Sequence, residues 1–149
     1  MMTRVRRPLI LALTLGLATA STGVLAGCGE EEEGSPTMRP GEACLSCHRS
    51  GGKADEERFT AAGTVYGDAN GSAPLAGATI SITDANQRQV TLTSNTAGNF
   101  YTKSTLTPPL TIVVSDGTQD ATMLSGASSG DCNGCHAPSG SAAARVFVP

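Results

Sequence analysis

Apolar and polar residues alternate in three separate stretches of this chain. Ala78, Ile80 and Ile82 interleave with Thr79, Ser81 and Thr83; Val90 and Leu92 interleave with Thr91 and Thr93. Leu110, Ile112 and Val114 repeat the spacing. A period of two marks strands with one buried face. Between them, Gly67-Asp68, Asn70-Gly71, Asp84-Ala85-Asn86 and Ala97-Gly98-Asn99 carry turn chemistry. Residues 59–115 therefore read as β-rich, and nothing after residue 27 has the pattern of a long helix. Short strands at this spacing predict a mainly β chain, a small antiparallel sandwich of Greek-key type.

The first residues follow another pattern. Arg4, Arg6 and Arg7 precede an apolar run over residues 9–17, and small residues follow. Basic, apolar, then small is the layout of a secretory signal peptide, and the run falls short of the roughly 20 apolar residues that span a bilayer. Leu25-Ala26-Gly27-Cys28 resembles the lipobox of bacterial lipoproteins. That resemblance implies removal of residues 1–27 and lipidation of Cys28. It also implies an anchor in the cell envelope. Under the family's sorting rule Gly29, in place of Asp, implies the outer membrane, on its periplasmic side or at the cell surface. Residues 28–43 hold an acidic run at positions 30–33 and then Gly34, Ser35, Pro36, Pro40 and Gly41. They read as a flexible tether with an r.m.s. reach of about 20 to 24 Å.

Charge narrows the partners. Residues 28–149 keep all 13 acids but only seven of the ten Lys and Arg, a formal charge of −6. Nucleic acid is excluded as a partner, because phosphate binding needs clustered Lys and Arg. A basic protein surface complements this charge better. Three Phe, two Tyr and no Trp make a modest core, which a disulfide, metal or covalent cofactor would help to hold.

A second resemblance lies in the β-rich stretch. Gly63-Thr64-Val65-Tyr66, Pro74-Leu75-Ala76-Gly77-Ala78-Thr79-Ile80-Ser81-Ile82 and residues 93–101, ending Ala97-Gly98-Asn99-Phe100-Tyr101, are similar to the carboxypeptidase regulatory-like, transthyretin-like family. The resemblance implies a β-sandwich over residues 59–124. Pro108-Pro109 and Ser115-Asp116-Gly117 depart from the family's closing motif. Such a domain is a scaffold, so function has to be argued from a site.

Cys44-Leu45-Ser46-Cys47-His48 and Cys132-Asn133-Gly134-Cys135-His136 both read Cys-x-x-Cys-His, the attachment pattern of c-type haem. In one helical turn, residues i, i+3 and i+4 share a face. Two thiols there can bond the vinyl groups along one porphyrin edge, and the adjacent imidazole can ligate the iron. The chain has five cysteines and two histidines. One cysteine is assigned to lipid and four to two covalent haem c groups, and both histidines close the motifs. Disulfides would leave the histidines unexplained. A zinc site of two Cys-x-x-Cys knuckles has no need of them, and no thioredoxin-like pattern surrounds either pair.

The chain resembles a dihaem cytochrome c at these two motifs. His48 and His136 are then the proximal ligands, with Cys44, Cys47, Cys132 and Cys135 as attachment points. With no third histidine, Met123 and Met38 are the candidate sixth ligands. Lys53, Lys103, water or an open position are the alternatives. Residues 44–58 and 125–149 form haem-binding segments flanking the sandwich, and they are expected to pack together as one module. The reading is an electron carrier with redox-protein partners rather than an enzyme. The competing reading is a surface binding or adhesion lipoprotein whose Cys-x-x-Cys pairs are disulfides. Catalysis at an open haem lacks a distal acid or base.

Overall fold

The computed structural model describes residues 34–142 and 144–149. Cys28, the acidic run at 30–33 and the basic and apolar start lie outside them. The chain is mainly β, with eight strands in two sheets, two one-turn α-helices and one 3-10 turn (Asp55–Glu57) among the described residues. No helix there is long and apolar enough to cross a membrane.

The three alternating stretches form β2 (Thr79–Thr83), β3 (Gln89–Thr93) and β5 (Thr111–Ser115). With β6 (Asp120–Thr122) they make one antiparallel sheet in the order β3-β2-β5-β6. Its register places Ile80 opposite Leu92 and Val114, and Ile82 opposite Val90 and Ile112. Ile80, Ile82, Ile112 and Val114 therefore point to one face, where they are buried. The second sheet is built on β1 (Ala61–Tyr66), paired antiparallel with β4 (Asn99–Thr102). Ala61, Val65 and Phe100 from this sheet share one core cluster with the isoleucines of the first, so the layout is sandwich-like.

Every residue of β1 is buried, and its far edge departs from the antiparallel expectation. Two strands, β7 (Gly130–Asp131) and β8 (Val146–Phe147), run parallel to β1, pairing at Ala61–Ala62 and at Val65–Tyr66 respectively. The segment from α2 (Cys132–Cys135) onward loops out between them. Two short pieces of residues 125–149 are thus built into the sheet edge. Filling the edge in this way satisfies the backbone of β1, which no solvent reaches.

Part of the stretch expected to act as a tether is hydrogen-bonded to the domain. Asn95 and Asn99 donate side-chain amides to the Pro36 and Met38 carbonyls, the latter at 2.9 Å. Thr64 Oγ1 accepts from the Gly41 amide at 2.8 Å, and Arg145 donates to the Gly41 carbonyl at 2.8 Å. Residues 36–42 are held on the β1–β4 sheet because four polar side chains satisfy their backbone.

Candidate functional site

Each Cys-x-x-Cys-His folds into one helical turn. Residues Cys44–Cys47 form α1, and the His48 amide donates to the Cys44 carbonyl at 2.9 Å. In α2 the His136 amide donates to the Cys132 carbonyl at 2.8 Å. The flanking backbones agree: φ, ψ are −69°, 90° at Ala43 and −79°, 75° at Asp131, the residues preceding the turns. Each motif thus sets two cysteines and a histidine on one face.

The likeness continues past the histidines. Gly52 donates to the Arg49 carbonyl and Ala54 to the Cys47 carbonyl; Gly140 donates to Ala137 and Ala142 to Cys135. A side chain on either glycine would collide with the carbonyl of the motif's second cysteine. Both loops close back under an imidazole whose Nδ1 meets a backbone carbonyl. His48 Nδ1 lies 2.7 Å from the Glu57 oxygen, and His136 Nδ1 lies 3.1 Å from the Ala144 oxygen. With Nδ1 as the N–H donor, Nε2 is the free, basic nitrogen in both rings.

The surroundings differ. No residue of α1 is buried, and Ala43 offers no cap. In α2, Cys132 and Asn133 are buried, and Asp131 Oδ1 accepts from the Gly134 amide at 3.3 Å. Gly63 lets this turn lie close over β1: a Cβ there would stand 2.8 Å from both the Cys132 Cβ and the Phe100 ring. Asn133 ties the two motif segments together. Its oxygen accepts from the Thr64 amide at 3.0 Å, and its amide donates to Thr64 Oγ1 at 3.0 Å and to the Glu42 carbonyl at 2.9 Å. Thr64 Oγ1 in turn donates to Asn99 Oδ1 at 2.8 Å. α1 and α2 are in contact, and this satisfied network links α2 to β1 and to the stretch just before α1.

Each turn borders its own cleft. One, of about 870 Å³, is lined by Cys44, Cys47, His48, Met38, Phe59 and Tyr101. The other, of about 770 Å³, is lined by Cys132, Cys135, His136, Met123, Val146 and Phe147. Both volumes fall within the range that holds cofactors. Phe100 lines both clefts and forms a wall between them. Met123 is placed by its amide, which continues the β5–β6 ladder to the Ile112 carbonyl at 3.1 Å; it also packs on the core. Lys53 lines the first cleft, whereas Lys103 is paired with Glu57.

Neither cysteine pair is closed on itself. Cys44, Cys132 and Cys135 are free thiols. Desolvation, partial at half-buried Cys44 and nearly complete at Cys132, and reinforced by the Asp131 carboxylate, pushes the Cys44 thiol up to about 11 and the Cys132 thiol up to about 12. Both act as donors, to the Glu42 and Gly130 carbonyls. Thiols held protonated are poor zinc ligands and poor redox nucleophiles. Among the described residues no three His, Cys, Asp or Glu side chains gather into a metal cage.

No family model, curated protein or solved structure matches the chain. Two thiols and an imidazole on one turn, a fixed tautomer and an adjoining cleft fit a haem c group, and they occur twice. A haem iron takes one histidine from the turn, so it requires no cage of ligands. A shared Gly-x-Ala begins four residues beyond each histidine and extends the repeat. Gly52-Lys53-Ala54 and Gly140-Ser141-Ala142 are visible in the sequence.

Proposed function

We propose that this chain is a membrane-anchored dihaem c-type cytochrome that carries electrons in the cell envelope and is not itself a catalyst. The observation that carries the reading is the repeated turn, with each imidazole held through Nδ1 beside a cofactor-sized cleft. When bound, each haem supplies a reversible one-electron couple at its iron.

The residues divide the work. Cys44, Cys47, Cys132 and Cys135 fix the porphyrin edges, and His48 and His136 offer Nε2 to the irons. Met38 and Met123 are the candidate sixth ligands, one at each cleft. Glu42, Asp55, Glu56 and Glu57 line the first cleft, along with Arg39 and Lys53. Ile112, Val114, Val146 and Phe147 line the second, with Arg145. Carboxylates favour the ferric charge and an apolar wall disfavours it, so the first site has the lower potential. The transthyretin-like Greek-key sandwich is the scaffold that spaces the two sites. Lipid on Cys28 holds the domain to the outer membrane, and its acidic surface suits redox partners with basic docking faces.

The test is expression with and without haem-attachment machinery, followed by intact mass. A gain of two haem masses is expected only with the machinery. No gain, with the motif cysteines oxidised to one another, would overturn the proposal in favour of a binding or adhesion lipoprotein. In the loaded protein, Met123→Ala is expected to remove the sulfur-to-iron charge-transfer band of one oxidised haem. A full band in that variant would remove Met123 as a ligand.

A further inference from the structure

The two imidazoles are not held alike. His48 stacks on Phe59, ring centroids 4.2 Å apart and planes 21° apart. Phe59 stacks in turn on Tyr101 at 4.6 Å and 20°. All three rings line the first cleft. Among the described residues, no aromatic ring stacks on His136.

The backbone fixes this stack from both sides. The Phe59 amide donates to the His48 carbonyl at 3.0 Å, so Phe59 sits against the turn that carries the histidine. One residue on, the Thr60 amide donates to the Thr102 carbonyl at 2.8 Å, and Thr60 Oγ1 bonds the Ser104 carbonyl at 2.6 Å. Those bonds hold Phe59 beside β4, where Tyr101 stands opposite Ala62. Tyr101, 39% exposed, closes the outer end.

An imidazole needs two constraints to be fully oriented. A hydrogen bond at Nδ1 aims Nε2 but, being tolerant of angle, leaves the ring some freedom to turn about its Cβ–Cγ bond. A stacked neighbour removes that freedom by setting the plane. His48 has both constraints, whereas among the described residues His136 has no stacked ring. We infer that Phe59, backed by Tyr101, is a positioning residue that sets the plane of the His48 imidazole, making the first site rigid and unlike the second. The inference rests on the haem reading, since ring plane matters most to a metal bound at Nε2. It goes further by assigning a role to two residues outside both Cys-x-x-Cys-His motifs.

The test is low-temperature EPR of the oxidised, haem-loaded protein, whose ferric g-values respond to ligand-plane orientation. Phe59→Leu is expected to shift one of the two ferric signals and leave the other unmoved, as an internal control. Phe59→Tyr, which keeps an aromatic face, is expected to restore the original signal. Tyr101→Leu, at an exposed position with little bearing on folding, is expected to shift the same signal less. Two unmoved signals in Phe59→Leu and Tyr101→Leu, or equal shifts in both, overturn the inference while the haem reading stands. If the unsubstituted protein takes up no haem, both fall together.

Discussion

The two Cys-x-x-Cys-His turns have nearly the same backbone and are supported by different means. The first lies at the surface: no residue of α1 is buried, and a returning loop and an aromatic stack hold it. The second is embedded, with Cys132 and Asn133 buried, an aspartate cap, and a sheet edge that continues on both sides of it. A four-residue helix cannot sustain itself in water, because nucleation costs more than one turn returns. The motif therefore supplies the hydrogen-bond scheme, and the neighbouring chain decides how firmly that scheme is kept.

The largest expected contrast is between the second residues of the two motifs. Asn133→Leu removes the partners of the Thr64 amide and the Glu42 carbonyl in a buried setting. Leaving two such groups unpaired costs about 2 to 6 kcal/mol in sum. Leu45, its half-buried counterpart, is expected to cost about 1 kcal/mol as Leu45→Ala. Urea denaturation of the haem-free chain measures both. Equal losses would mean that the second turn is no more embedded than the first.

Alkali gives the next contrast. Both raised thiols favour the protonated form in the folded state, so their stability is complete below their ordinary value of 9.0. Above it the unfolded chain ionises and the folded chain does not, so stability falls by about 1.4 kcal/mol per pH unit for each thiol. Cys44 stops contributing to the fall near pH 11, and the more buried Cys132 continues to about 12. Thioether formation removes both titrations. Denaturation midpoints followed from pH 8 to pH 11 are expected to drop in the haem-free chain and to stay flatter in the loaded one. A flat profile in the haem-free chain would contradict the burial of these thiols.

Much of this contrast was hidden in the sequence, for physical reasons. β2, β3 and β5 were legible because one face of β2 and β5 is buried, one face of β3 is half-buried, and Ile80, Ile82, Leu92 and Ile112 keep the period. β1 was not, since burial on both faces erases alternation and Ala61, Ala62 and Gly63 carry little hydrophobic signal. β7 and β8, at two residues each, are too short to show any pattern. The turns and their six candidate haem residues were legible because spacing alone encodes a shared face. Their supports were not. Glu57 and Ala144 act through backbone carbonyls, which every residue has. Docking of residues 36–42 depends on Asn95, Asn99 and Thr64, brought together only by the fold.

Where the two sites share geometry, they are expected to respond alike. Gly52→Ala and Gly140→Ala each set a methyl group against the carbonyl of the second cysteine. Each is expected to cost about 1 to 3 kcal/mol, the usual range for forced overpacking. Melting curves of the two variants compare them directly. A loss at one position without the other would separate the loops and break the internal repeat.

The smallest expected effect exchanges a cap between the turns. Asp131 and Ala43 occupy the same place with φ and ψ within about 15° of each other, yet only Asp131 has a side-chain acceptor for the turn's amides. Asp131→Ala is expected to cost about 1 kcal/mol, and Ala43→Asn to return a similar amount to α1. Asparagine rather than aspartate is the informative choice at Ala43, because a carboxylate there would add charge beside Glu42 and the already raised Cys44 thiol. Thermal melts of the two single variants and the double variant read the exchange. If Ala43→Asn gains nothing while Asp131→Ala loses its full share, the cap acts only within the buried setting of α2, and backbone likeness alone does not make the turns interchangeable.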